Sequence, residues 1–199
     1  DTVRLLAGLG AARFCLPVEL PAAAIAKIAT AASESSRHID NGGGDSPAAT
    51  SPAAIEVVAF GRVPLAMSVR CFHARARGRA KGNCRFVCGE DADGLPVETV
   101  EGERFLAIAG CHILSHAYVN LANEIAALRA AGVNRFRLLP QATDMVAVAA
   151  VFRRLLDGRI GGAEALAETR PLVPPEVDFA NGFFHGRAGE EFVAKSLRA

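Results

Sequence analysis

The sequence has no apolar run long enough to cross a bilayer. Its most sustained Ala-rich stretch, residues 21–32, is shorter and less hydrophobic than the roughly 20 apolar residues a span requires. No export signal is visible in it, since DTVRLLAGLGAARFC opens without a basic segment followed by an apolar one, and the expected compartment is the cytoplasm. It has almost no net charge, +1 from 22 basic and 21 acidic residues, so neither nucleic acid nor anionic membrane is favoured by default. It also lacks an even set of cysteines: five thiols without an export signal argue against a disulfide framework. There is no internal repeat, no nucleophile elbow and no H-E-x-x-H, so no familiar hydrolytic motif is present. An initiator Met is missing too, and Val3, Leu5, Leu6 and Leu9 already trace one helical face. The chain is therefore expected to lack an N-terminal portion.

What is present is an alternation of short apolar runs and helical patterns within 199 residues, enough for one sizeable domain. ARFCLPVEL (12–20) predicts a buried strand, and Pro21 leads a helix over 22–32. Residues 35–52, with three consecutive glycines, read as a flexible Gly/Ser-rich insertion. IEVVAFGRVPLA (55–66) begins as a β-branched strand that Gly61 and Pro64 should stop. RFLAIAG (104–110) and VNRFRLLP (133–140) predict two more strands. Leu121, Ile125 and Leu128 predict a helix within 115–131 ended by Gly132, and 145–156 predicts another. This order implies a single α/β domain, a partial or complete (β/α)-barrel-like unit with a cysteine-rich metal-binding loop at 70–94. In such folds chemistry gathers at the carboxyl ends of parallel strands, which singles out Glu19, Arg62 and Gln141 as candidate substrate-binding residues.

The densest signal is RCFHARARGRAKGNCRFVC, with Cys71, Cys84 and Cys88 spaced C-x12-C-x3-C. Packing accounts well for Cys15 and Cys111, which lie in apolar runs, and poorly for Cys84 and Cys88 in a polar, Gly- and Asp-rich stretch. Thiolates suit zinc or iron–sulfur clusters, and one close pair with a distant third thiol matches a cluster better than a two-pair zinc knuckle. A fourth ligand could come from Cys15, Cys111, His73, His112 or a preceding segment. Arg70, Arg75, Arg77, Arg79, Lys81 and Arg85 around the thiols would favour thiolate formation, and they equally suit a solvated basic face.

RFCLPVEL, EVVAFGRVPLAMSVRCF, NCRFVC followed by DADGLPV, and NGFFHG together resemble the collagenase-like peptidase family, and within it the UbiV branch, over roughly residues 12–186. The resemblance implies that Cys71, Cys84 and Cys88 ligate a [4Fe–4S] cluster, with the fourth cysteine well upstream. It implies an oxygen-independent hydroxylation of a prenylated aromatic substrate in ubiquinone synthesis, with prephenate as oxygen donor. It also implies a heterodimer with a homologous UbiU-like subunit, and a lipid-binding accessory protein to present the prenylated ring. A dianionic donor would need arginine contacts, for which Arg62 and Arg70 are the candidates. The sequence departs from the family pattern in its long 35–52 insertion and at Leu139, where a serine is common. Two alternatives stand beside this reading: RNA modification or proteolysis, as in other branches of the family, and a scaffold subunit with a structural metal.

Overall fold

The computed structural model describes residues 2–35 and 53–194. All of the 35–52 insertion except Ser35 lies outside the described residues. The first helix, α1 (Thr2–Gly8), leads to a short edge strand, β1 (Arg13–Cys15). β1 ends far sooner than the expected 12–20 strand, and its pattern is half-exposed. Pro17 has no N–H for a ladder, so Leu16 gives the last bond, its N–H donating to the Glu56 carbonyl at 2.8 Å. Helix α2 (Ala22–Ser35) then returns the chain to β2 (Ala54–Met67), parallel to β1.

β2 organises the molecule. Its first half lies between β1 on one side and β6 (Arg135–Leu138) on the other, both parallel to it. Residues 55–63 of β2 are buried on both faces, which is why IEVVAF reads as a near-continuous apolar run. Glu56, buried in this layer, accepts from Arg137 Nε of β6 at 2.6 Å and lies 3.7 Å from Arg13 of β1, so one carboxylate ties three strands. One core gathers Ile25 and Ala29 of α2 with Ile55, Val57 and Leu128. The other gathers Phe60, Tyr118, Val148, Val151 and Phe152, the Phe60 ring meeting Tyr118, Phe152 and Phe179 edge-on at 5.7–6.4 Å.

The second half of β2 was expected to stop at Gly61 and Pro64, and it does not. Gly61 takes φ +108, a conformation glycine adopts freely, and the strand turns there and continues to Met67. The space is equally demanding: a Cβ on Gly61 would sit 2.9 Å from the Leu139 carbonyl oxygen. Pro64 falls at register shifts, where its missing N–H is tolerated. Beyond Gly61 the sheet is antiparallel, running through β5 (His112–Asn120), β4 (Arg104–Ala109) and β3 (Leu95–Glu98). The expected helix over 115–131 is therefore corrected: residues 115–120 finish β5, a 3-10 turn covers Ala122–Glu124, and only α4 (Ile125–Ala130) is helical.

Two helices follow β6. α5 (Met145–Leu156) starts on Asp144, whose Oδ1 accepts from Ala147 N at 2.9 Å, and buries Val148, Val151 and Phe152 at helical spacing. α6 (Gly162–Thr169) leads to β7 (Phe179–Ala180), parallel to the end of β5. NGFFHG closes this end. Asn181 Nδ2 donates to buried Glu124 Oε1 at 3.2 Å, and a Cβ on Gly182 would lie 1.8 Å from the Ala188 carbonyl oxygen. The result is a mixed α/β fold on one seven-stranded sheet. Among the described residues the strand pairings close no barrel, and no helix is long and apolar enough to cross a membrane.

Candidate functional site

The cysteine loop leaves the end of β2 and is built from three short turns. Cys71 caps the N-terminus of α3 (Phe72–Ala76), its Sγ accepting from Ala74 N at 3.4 Å. Cys84 follows the 3-10 turn Lys81–Asn83, and its Sγ accepts from Phe86 N at 3.4 Å. Arg85 and Phe86 both take left-handed conformations, φ 51 and 54, and this reversal leads into the turn Val87–Glu90 that carries Cys88. Two consecutive non-glycine residues in that region cost on the order of 1–3 kcal/mol each, a strain that collects at functional sites. Buried Val87 anchors the turn, whereas Phe86 beside it is 82% exposed.

The three thiols are free and half-buried. Their chemistry suits a soft metal: two of the sulfurs already accept N–H bonds of the kind that tune cluster thiolates. Their placement does not, because among the described residues no three His, Cys, Asp or Glu side chains are gathered closely enough to hold a metal ion. The donors fit a cluster in kind and not in position.

Two carboxylates, Asp91 and Asp93, fix this loop to the sheet. Asp91 Oδ2 accepts from Arg77 Nη2 at 2.7 Å and lies 2.8 Å from His73 Nε2. The Arg77 bond holds the Asp91 carboxyl below the usual aspartate range, against the opposing effect of burial. His73 is fully buried, and its Nδ1 lies 3.1 Å from the Ile108 carbonyl oxygen of β4. Both ring nitrogens thus face oxygen atoms of the protein. Asp93 looks the other way. Its Oδ2 accepts from Arg62 Nη2 at 2.6 Å, and its Oδ1 accepts the Tyr118 hydroxyl. Burial, then the bond to Asp93, pushes the Tyr118 phenol well above its ordinary value.

Arg62 was expected to meet an anionic donor. It is engaged within the protein instead: besides Asp93 it donates through Nη1 to the carbonyls of Ser115 (2.9 Å) and His116, and its guanidinium lies 5.0 Å from the Tyr118 ring centre. Gln141 packs against Gly61, beside Arg62 in the chain, and its Nε2 donates to the Leu139 carbonyl at 3.4 Å. No hydrogen bond or ion pair among the described residues joins Glu19 or Arg70 to this pair. Glu19 is exposed on the turn after β1, and Arg70 is exposed on the bend after β2. Cys15 is exposed and not packed as expected, because β1 is an edge strand. Burial nonetheless pushes its thiol up. Cys111 sits in the β4–β5 turn, its carbonyl accepting from Ser68 N at 2.8 Å, at the foot of the cysteine loop. His112 is exposed beside it.

Asp91, Asp93 and Tyr118 escaped sequence reasoning. Asp91 and Asp93 lie in the turn before β3, where no strand or helix period marks their partners.

The fold and site thus define a mixed α/β protein whose cysteine loop is tied to the sheet by two carboxylates, Asp93 directly to β2 and β5 and Asp91 through His73 to β4. The family model of peptidase family U32 matches residues 1–193, and the chain belongs to that family. By its description this is a family of enzymes. No solved structure matches the chain.

Proposed function

We propose that the chain is an iron–sulfur subunit of an oxygen-independent hydroxylase acting on prenylated aromatic intermediates of ubiquinone synthesis. The observation that carries this reading is the clamp: Asp93 binds the end of a three-cysteine loop to β2, the strand that organises the fold, and Asp91 ties the loop to β4 through His73. A merely solvated basic loop needs no such attachment. In this reading Cys71, Cys84 and Cys88 hold a [4Fe–4S] cluster after the strained 84–88 turn rearranges, with a fourth ligand from outside this trio. The cluster would supply redox capacity next to the sheet.

The parallel strands β1, β2 and β6, with α2 and α4, are read as part of a (β/α)-barrel. A homologous UbiU-like subunit is the expected partner, with a lipid-binding accessory protein to deliver the prenylated ring. Prephenate, the expected oxygen donor, would meet Arg70, which has no ion pair among the described residues. Arg62 holds the clamp.

The family's description supports one alternative, hydrolysis of peptides. A test that separates the two uses anaerobic cells lacking this gene. The wild-type gene should restore ubiquinone, and a Cys84→Ala, Cys88→Ala version should not. Unchanged ubiquinone on deletion, together with peptide cleavage by the purified chain, would favour the peptidase reading.

A further inference from the structure

The pairing of β5 with β2 shifts register at two places, on either side of Pro64. At the first, Arg62 of β2 faces Tyr118, yet Pro64, two residues on, faces Leu114, so residues 115–117 of β5 bulge from their ladder with β2 while Ser115 stays paired with Leu106 of β4. Bulges re-aim side chains and recur beside active sites. This one has a dedicated scaffold. The Ser115 hydroxyl accepts from Val63 N at 2.9 Å and donates to the Ala117 carbonyl at 2.6 Å, while the buried Arg62 holds the carbonyls of Ser115 and His116. The residue the bulge presents is His116, whose Nε2 lies 3.9 Å from Asp178 Oδ2.

His116 and Asp178 border a groove of about 660 Å³. Its walls are apolar: Val63 and Leu65 of β2, Phe105 and Leu106 of β4, and Phe183 of the closing turn. Glu103, Arg104 and Glu190 complete its polar edge. Phe105 is 56% exposed, so much of the apolar wall faces solvent. This size and composition are those of a small-molecule site, an apolar body with few polar groups to orient the ligand.

The charges around His116 restrict what the polar end of a ligand can be. Glu103, Asp178 and Glu190 oppose an anionic head, and the one arginine of the groove, Arg104, already donates to the Glu176 carbonyl. Arg62 behind the bulge and Arg104 beside it oppose a cationic head at the same point. Burial first, then these two arginines, draw His116 below its ordinary value against the pull of Asp178, so its ring favours the uncharged form.

We propose that this groove binds an uncharged apolar ring bearing a hydroxyl group, and that His116 is the positioning residue that hydrogen-bonds the hydroxyl. The assignment deepens the ring-substrate part of the function proposed above and makes no use of the cluster.

The chain has no Trp and one Tyr, so the emission of 2-naphthol can be followed on the purified protein with little interference. Saturable 2-naphthol binding is expected, tighter than that of 2-naphthoate or of a naphthylmethylammonium probe. His116→Phe should weaken 2-naphthol about fivefold, the worth of one net hydrogen bond, and leave 2-methylnaphthalene unchanged. Phe105→Glu, at an exposed position, should weaken both. Wild-type binding of 2-naphthol should also decline as the pH falls through the His116 titration, and in His116→Phe it should not. Absence of saturable 2-naphthol binding, equal or tighter binding of either charged probe, or unchanged 2-naphthol affinity in His116→Phe would overturn the assignment. Iron binding by the cysteine loop is measured separately, so failure of the groove leaves the cluster reading standing, and the converse holds.

Discussion

Single residues divide the work around the loop. Asp91 holds the loop to itself through Arg77 and to β4 through His73, and Asp93 holds the loop's exit to β2 and β5. Asp93→Ala leaves the nearly buried Arg62 guanidinium without its carboxylate. Breaking such a pair by removing one partner costs about 3 kcal/mol, which should appear as a lower denaturant midpoint. An unchanged midpoint would show that the clamp contributes little. Asp91 makes a pH-dependent contribution of defined sign. Its carboxyl is held below the ordinary value of 3.8, so its stabilisation is present above that pH and is lost as pH falls through the lowered folded value. Asp91→Asn should flatten the acid limb of the stability profile while the wild type keeps falling; parallel profiles would contradict the pairing. The cysteines were legible because C-x12-C-x3-C lies within one stretch of sequence. The clamp was not, because Asp93 meets Arg62 and Tyr118 across 31 and 25 residues.

Among the elements, those with one unbroken period were legible and those that change character midway were not. α5 lies over its predicted 145–156, and β4 and β6 lie inside their predicted strands. β2 was cut short in prediction because Gly61 and Pro64 look like stops, whereas the strand uses the first as a pivot and the second at a register shift. β5 was hidden because Leu121, Ile125 and Leu128 give a helical period that starts where the strand ends. The pivot gives an element-scale prediction. Gly61→Ala introduces both an unfavourable φ and a Cβ 2.9 Å from the Leu139 backbone oxygen and 2.8 Å from Gln141 Nε2. It should destabilise the protein by roughly 2 kcal/mol or more, read from thermal unfolding. A neutral outcome would mean that β2 can pass between its two pairing regimes without glycine.

At the scale of the whole molecule, a parallel layer and an antiparallel arm share one strand, and the cysteine loop hangs from the far end of that strand. The alternation of apolar runs and helices carried the α/β class. It did not carry the antiparallel arm, since strand direction is set by contacts between distant segments that no local pattern encodes. Positive charge is concentrated in the loop: residues 70–94 carry six basic and three acidic residues, while the whole chain is +1. In the proposed reading that concentration would moderate the negative charge of a thiolate-ligated cluster. The most direct test is anaerobic iron–sulfur reconstitution of the purified chain, with iron, acid-labile sulfide and zinc quantified and the visible spectrum recorded. Iron and sulfide in equal amounts, with a broad band near roughly 400 nm that is lost in the Cys84→Ala, Cys88→Ala variant, is the expected result. Stoichiometric zinc without iron, or iron retained equally by the double variant, would contradict the assignment of this loop as an iron–sulfur site.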